Sequence, residues 1–296
     1  MGNNARTFGQ DLMRGEHTVG GGVMLDAPSK VQLAPGGGGG GCWLTKKPAA
    51  QVDEAVAEAT GTSIFDPVLC ELAYKWFCPT GGAILDPFAG GSVRGIVASH
   101  LGFDYTGIEL RAEQVAANKA QAHIAGPNAP RWLEGDSRDA ADIAPGAYDF
   151  LFSCPPYADL EVYSDDPRDL STLAYPAFIE SYRAIIAASC KMLRNDRFAA
   201  FVVGDVRDKD GCYYGFPGDT VAAFKACGLR LYNEAVLVTA VGSLPLRTGR
   251  QFRAGRKLGK THQNILVFVK GDPKRAATAC GGGKASPADS PTKNAA

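Results

Sequence analysis

The stretch that most restricts the fold is Ala83-Ile84-Leu85-Asp86, followed by Pro87-Phe88-Ala89-Gly90-Gly91-Ser92 and then by apolar residues at helical spacing, Val93, Ile96, Val97 and Leu101. A short apolar strand, a glycine-bearing turn and a helix make the first half of a nucleotide-binding βαβ unit. A second strand, Tyr105–Glu109, ends in a carboxylate about 20 residues past the turn, from where an acid can bond both hydroxyls of a ribose. The alternation then continues. A helix over 112–124 precedes a strand Arg131–Glu134 that closes on Gly135-Asp136-Ser137. Further strands are expected at 148–152, 199–205, 235–239 and 264–270, with helices over 176–193 and 219–227 between them. Seven strands with intervening helices predict an α/β, doubly wound, mostly parallel Rossmann-like sheet in a single domain.

That domain is expected over residues 61–271. Asp66 before Pro67 reads as the cap and first residue of a helix through Leu69, Leu72, Ala73, Trp76 and Phe77. Residues 1–60 contain Gly20-Gly21-Gly22 and the run Gly36 to Gly41, too rich in backbone freedom and too poor in apolar side chains for a packed unit, and are expected to be flexible. Residues 272–296, rich in Lys, Pro, Ala, Gly and Ser, are expected to form a disordered tail. The eight cysteines include no Cys-x-x-Cys pair and do not alternate with the four histidines, which speaks against zinc or a disulfide framework and for a reducing cytoplasm. No apolar run approaches the roughly 20 residues that span a bilayer, so no membrane association is expected.

The strand over 148–152 delivers a second distinctive stretch, Ser153-Cys154-Pro155-Pro156-Tyr157. Two consecutive prolines fix φ and remove two donors, leaving the carbonyls before them free to accept bonds from a planar amine. Tyr157 adds a flat face for a heterocycle, at the carboxyl end of a parallel strand, where open α/β sheets bind ligands. Residues 158–173, acidic and turn-rich, read as a lid-like loop. Lys and Arg together equal Asp and Glu, 31 against 31, so any basic surface must be local. The stretch 242–262 supplies one. It carries Arg247, Arg250, Arg253, Arg256, Lys257 and Lys260 with no acid, a mobile basic loop of the kind phosphate contacts require.

Taken together, Asp86-Pro87-Phe88-Ala89-Gly90-Gly91-Ser92, Gly107-Ile108-Glu109-Leu110, Gly135-Asp136-Ser137 and Cys154-Pro155-Pro156-Tyr157 resemble the exocyclic-amine DNA methyltransferases of phage and bacterial type that use S-adenosylmethionine. The resemblance covers roughly residues 62–270. It implies a cofactor site of Phe65, Asp66, Asp86, Phe88, Gly90, Glu109, Asp136 and Ser137. Ser153, Cys154, Pro155, Pro156 and Tyr157 would form the catalytic corner acting on cytosine N4 or adenine N6 of a base flipped from double-stranded DNA. Asp86 would disfavour a pyrophosphate and suit the cationic sulfonium and amino group of S-adenosylmethionine. Asp136 and Ser137 either bind the adenine amine or cap the following turn.

The chain departs from that family at two positions. Gly90-Gly91-Ser92 stands where Gly-Ser-Gly is common, and Cys154 stands where Asp, Asn or Ser precedes the prolines, although a thiol is a poor acceptor for an amine. RNA base methylation, carbon-5 methylation of cytosine through a Cys154 thiolate, and a catalytically inactive nucleic-acid-binding relative are the alternatives. The reading requires the glycine turn and Tyr157 to share one crevice.

Overall fold

A computed structural model of the chain describes residues 65–157, 162–238 and 244–281, together with a short antiparallel pair, Thr18–Val19 with Gly22–Val23. The remaining expectations for residues 1–60, and those for 158–161 and 282–296, lie outside the described residues. The strands are β1 (Ala83–Asp86), β2 (Asp104–Glu109), β3 (Arg131–Glu134), β4 (Tyr148–Ser153), β5 (Leu193–Val203), β6 (Arg230–Val238) and β7 (His262–Lys270). They form one seven-stranded sheet in the order β3-β2-β1-β4-β5-β7-β6. The first five in that order run parallel to one another, while β7 is antiparallel to both β5 and β6. This is the doubly wound, mostly parallel sheet expected. The order reverses between β1 and β4, which opens a crevice at their carboxyl ends.

The middle of each central strand is apolar because both faces are covered there. Ile84, Phe150, Phe152, Phe198 and Val202 pack on one face, with α1 (Pro67–Phe77) and α2 (Val93–His100). Leu85, Leu151, Phe201 and Val203 pack on the other, under α5 (Tyr175–Met192) and α6 (Phe216–Ala226). Two shorter helices, α3 (Ala112–Ala120) and α4 (Ala140–Ile143), follow β2 and β3. The start of α1 follows the cap reading: Asp66 Oδ1 accepts the amides of Val68 at 2.8 Å and Leu69 at 3.3 Å, with Pro67 first in the helix.

Three expectations are corrected. The basic stretch 242–262 is not simply a loop, since Leu244–Gly255 is a helix, α7. Its glycines, repeated arginines and low apolar content made it read as a loop. The tail expected from 272 opens with another helix, α8 (Pro273–Ala279), in which Asp272 accepts the Arg275 amide at 2.9 Å, Arg275 pairs with Asp196 at 2.7 Å and Ala276 is buried. A cap, an N-terminal proline and one tertiary ion pair outweigh a composition that otherwise reads as disorder. The strand expected at 199–205 begins instead at Leu193, directly after α5, and stops at Val203. Polar Arg194, Asn195, Asp196 and Arg197 hid its first half, where Arg194 and Arg197 pair with Asp149 at 2.5 and 2.8 Å. No helix among the described residues is long and apolar enough to cross a membrane.

Candidate active site

β1 ends in a carboxylate with no exposure, and what it holds determines the shape of the turn. Asp86 Oδ1 accepts the Phe88 amide at 3.1 Å and the Ser153 hydroxyl at 2.5 Å, while Oδ2 accepts Arg94 Nε at 2.5 Å and the Tyr105 hydroxyl at 2.8 Å. Those four bonds use the whole acceptor capacity of a carboxylate. From the first turn of α2, Arg94 Nη2 donates to the carbonyls of Phe88 and Ala89 at 2.5 and 2.8 Å, so the turn is wound round a buried guanidinium. Burial would lower the Arg94 pKa, but the adjacent Asp86 outweighs it and raises it.

Two expectations are therefore corrected. Asp86 does not face a ligand's positive charge, because Arg94 already neutralises it. Ser153 is not at the reacting surface either: its buried hydroxyl points down to Asp86, and its backbone stays in register with Phe201, so the backbone freed by the prolines begins at Cys154. Arg94 was missed; its only signal in the sequence is a charge on an otherwise apolar helix face.

Above this layer lies a cavity of about 470 Å³ at the carboxyl edge of the sheet. On one side Phe65, Asp66, Phe88, Gly90, Glu109, Asp136 and Ser137 line it. On the other side stand Cys154, Pro155, Pro156 and Tyr157. Apart from Asp86 and Ser153, the candidate cofactor and catalytic residues thus share one crevice.

On the first side, Glu109 Oε2 accepts the Gly90 amide at 2.9 Å and Oε1 the Arg111 amide at 3.1 Å. This leaves roughly two of its four acceptor sites for a ligand. Gly90 adopts φ +50°, a left-handed conformation that favours glycine. Burial pushes the Glu109 carboxyl above its ordinary value, and the two amides offset only part of that. At Asp136, burial is outweighed by Arg138, whose Nε and Nη2 donate at 2.9 and 2.5 Å and hold the carboxyl low. Asp136 also caps its turn through the Arg138 amide, and the Ser137 hydroxyl donates to the Pro87 carbonyl at 2.6 Å, fastening the turn after β3 to the glycine turn. Phe65 stands edge-on to Phe152 at 5.8 Å, with the Arg94 guanidinium 4.7 Å from its ring centre.

On the second side, the Tyr157 hydroxyl accepts from Gln263 Nε2 at 2.5 Å and lies 3.7 Å from Cys154 Sγ, while its ring meets Phe216 edge-on at 6.5 Å. Gly204, Asp205, His262 and Gln263 line this side too and were missed as site residues. Only Gly204-Asp205 carried a legible sign, a glycine and an acid at the carboxyl end of a strand.

Of the five basic candidates whose side chains are described, Lys260 alone lines the cavity. Arg250, Arg253 and Arg256 are exposed, the last with its guanidinium 5.0 Å from the Phe252 ring centre; Lys257 is half-buried, and the Arg247 side chain lies outside the described residues. Among the described residues no cluster of three His, Cys, Asp or Glu side chains is placed to hold a metal ion.

No protein-family model matches the chain, and no curated protein sequence matches it. Solved structures with a similar fold include TrmN from Thermus thermophilus, at 16% identity and a TM-score of 0.49 over 77% of this chain. The chain spans 55% of the length of that protein. A methyltransferase from Pyrococcus furiosus is similar at 15% identity and a TM-score of 0.45, over 70% of this chain and 84% of its own. The magnesium protoporphyrin IX methyltransferase ChlM from Synechocystis PCC 6803, with bound SAM, is similar at 12% identity and 0.44, over 73% and 78%. At these identities and scores the likeness bears on neither cofactor nor substrate.

Proposed function

We propose that this chain is an S-adenosylmethionine-dependent methyltransferase that methylates an exocyclic amine, cytosine N4 or adenine N6, of a base flipped out of DNA. The observation that carries this reading is the single cavity shared by the Gly90–Glu109 side and the Cys154–Tyr157 corner. The residues fit the cofactor: Glu109 keeps acceptor sites for ribose hydroxyls, Phe65 and Phe88 give apolar walls, and the Gly90 turn allows close approach of the backbone. Bound there, S-adenosylmethionine supplies an electrophilic methyl group on a sulfonium.

The chain's own residues do the rest by positioning. An amine conjugated to a heterocycle is a poor nucleophile until its lone pair is localised, and the Cys154 carbonyl, freed by Pro155, can accept one of its N–H groups. The Tyr157 face offsets the cost of unstacking the base. Lys260 belongs to an acid-free basic run in a chain of zero formal charge, which supports a polyanion as the substrate's carrier.

The test is expression in a methylation-free host followed by nucleoside mass spectrometry of its DNA and RNA. N4-methylcytosine or N6-methyladenine in DNA is the expected result. Methylation confined to RNA would overturn the DNA part, and unmodified nucleic acids together with no calorimetric binding of S-adenosylmethionine would overturn the whole.

Two variants sharpen this. Cys154→Ser is expected to keep kcat within about tenfold, because the backbone holds the amine; a nucleophilic Cys154 would instead make the loss on the order of 10⁴-fold or more. Glu109→Gln is expected to weaken cofactor binding about tenfold or more by removing a charged acceptor. Ionised Glu109 is the better acceptor and burial raises its pKa, so wild-type affinity is expected to fall with decreasing pH, starting above the ordinary glutamate range. Calorimetry across pH checks this, and Glu109→Gln is expected to lack that dependence.

A further inference from the structure

Immediately beyond Asp205 the chain makes a tight hairpin whose purpose the cavity alone does not explain. Arg207 and Tyr213 form an antiparallel bridge, Tyr214 donates its amide to the Val206 carbonyl at 2.9 Å, and Asp208 closes the tip by bonding the Cys212 amide through Oδ1 at 2.8 Å. The root is fixed as firmly. Asp205 Oδ1 accepts the amides of Val206, Gly215 and Phe216 at 2.9, 3.0 and 3.2 Å, and the Tyr214 ring lies flat on Tyr175 at 3.9 Å.

This rigid support holds out a single aromatic ring. Tyr213 is 41% exposed, and the Arg207 guanidinium lies 3.7 Å from its centre, itself tied down by a 2.6 Å bond from Nη1 to the Gly211 carbonyl. Lys260 Nζ is 5.8 Å from the same ring centre, and Lys260 also lines the cavity. An exposed ring flanked by two cations, beside a pocket wall, combines a stacking face with partners for the phosphates on either side.

We infer that Tyr213, backed by Arg207, is a stacking platform for the nucleobase next to the one held at Tyr157. This rests on the nucleic-acid reading above and adds a second base-binding position to it. The ring supplies sequence-tolerant stacking area, while Arg207 and Lys260 meet the strand's backbone charge.

Fluorescence anisotropy with the full chain tests it, using a mixed-sequence single-stranded DNA of on the order of 12 nucleotides and its duplex form. Tyr213→Ala is expected to weaken binding by about 5- to 150-fold, the measured range for loss of one stacked base, whereas Tyr213→Phe is expected to bind like the wild type. Equal binding by Tyr213→Ala and the wild type would overturn the inference, as would a loss of the same size in Tyr213→Phe. Tyr213→Trp provides an independent readout. Its added indole emission is expected to be quenched on titration with the oligonucleotide, and saturated binding without quenching would also overturn the platform. A wild type that binds neither oligonucleotide would instead overturn the nucleic-acid reading, a result distinct from every variant outcome.

Discussion

Replacing Asp86 with alanine is expected to destabilise the fold by about 3–5 kcal/mol in equilibrium urea unfolding, the range seen when one partner of a buried ion pair is removed. The expectation follows from what the substitution strands. The Arg94 guanidinium would lose its counter-charge in a site where both side chains are almost wholly buried, and the Phe88 amide and the Tyr105 and Ser153 hydroxyls would lose their acceptor. Removing both charges with Asp86→Leu and Arg94→Met is expected to recover only the part of the loss due to the unpaired charge, since the Phe88 amide and the Tyr105 and Ser153 hydroxyls stay without an acceptor.

The same double variant separates stability from function. Arg94 Nη2 holds the carbonyls of Phe88 and Ala89, and Asp86 ties Ser153, at the end of β4, to the end of β1. The folded double variant is therefore expected to bind S-adenosylmethionine more weakly than the wild type even at temperatures well below its unfolding midpoint. A loss of less than about 1 kcal/mol in Asp86→Ala, the scale of an exposed pair, would mean that water reaches this cluster and that it does not organise the turn.

The Asp86 cluster also marks how far the sequence could be read. Strand periods, the glycine turn and the double proline were all local signals, and they placed Gly90, Glu109 and Tyr157 at one edge of the sheet. Asp86 was legible as an acid before a glycine turn, but its partner depends on which way the Arg94 side chain leaves α2, and that is a tertiary fact. The missed wall of the cavity has a topological cause. Because β7 runs antiparallel and inserts between β5 and β6, its first residues, His262 and Gln263, arrive at the carboxyl edge beside Tyr157. Read in chain order, His262 closes the basic stretch and Gln263 precedes the last expected strand, so neither marks the site. Likewise α7 was hidden because its glycines and low apolar content read as a loop.

Truncating Tyr157 to alanine is expected to lower kcat/KM for nucleic acid by at least about 100-fold while leaving the affinity for S-adenosylmethionine close to that of the wild type. Stacking alone accounts for a loss of about 5- to 150-fold, and a base no longer held against the ring adds a misalignment penalty of its own. Tyr157→Phe separates ring from hydroxyl. It keeps the face but gives up the bond from Gln263 Nε2 and the contact with Cys154 Sγ, so it is expected to stay within about tenfold of the wild type, the scale of one neutral hydrogen bond. Gln263→Ala removes the same bond from its other end. Combined with Tyr157→Phe it is expected to cost little more than either change alone, a coupling that steady-state kinetics on the four members of the cycle would measure. If Tyr157→Ala retains wild-type kcat/KM, the target base is held somewhere other than this corner. An additive loss in the double variant would mean that Gln263 acts on the substrate directly and not by holding the Tyr157 ring in place.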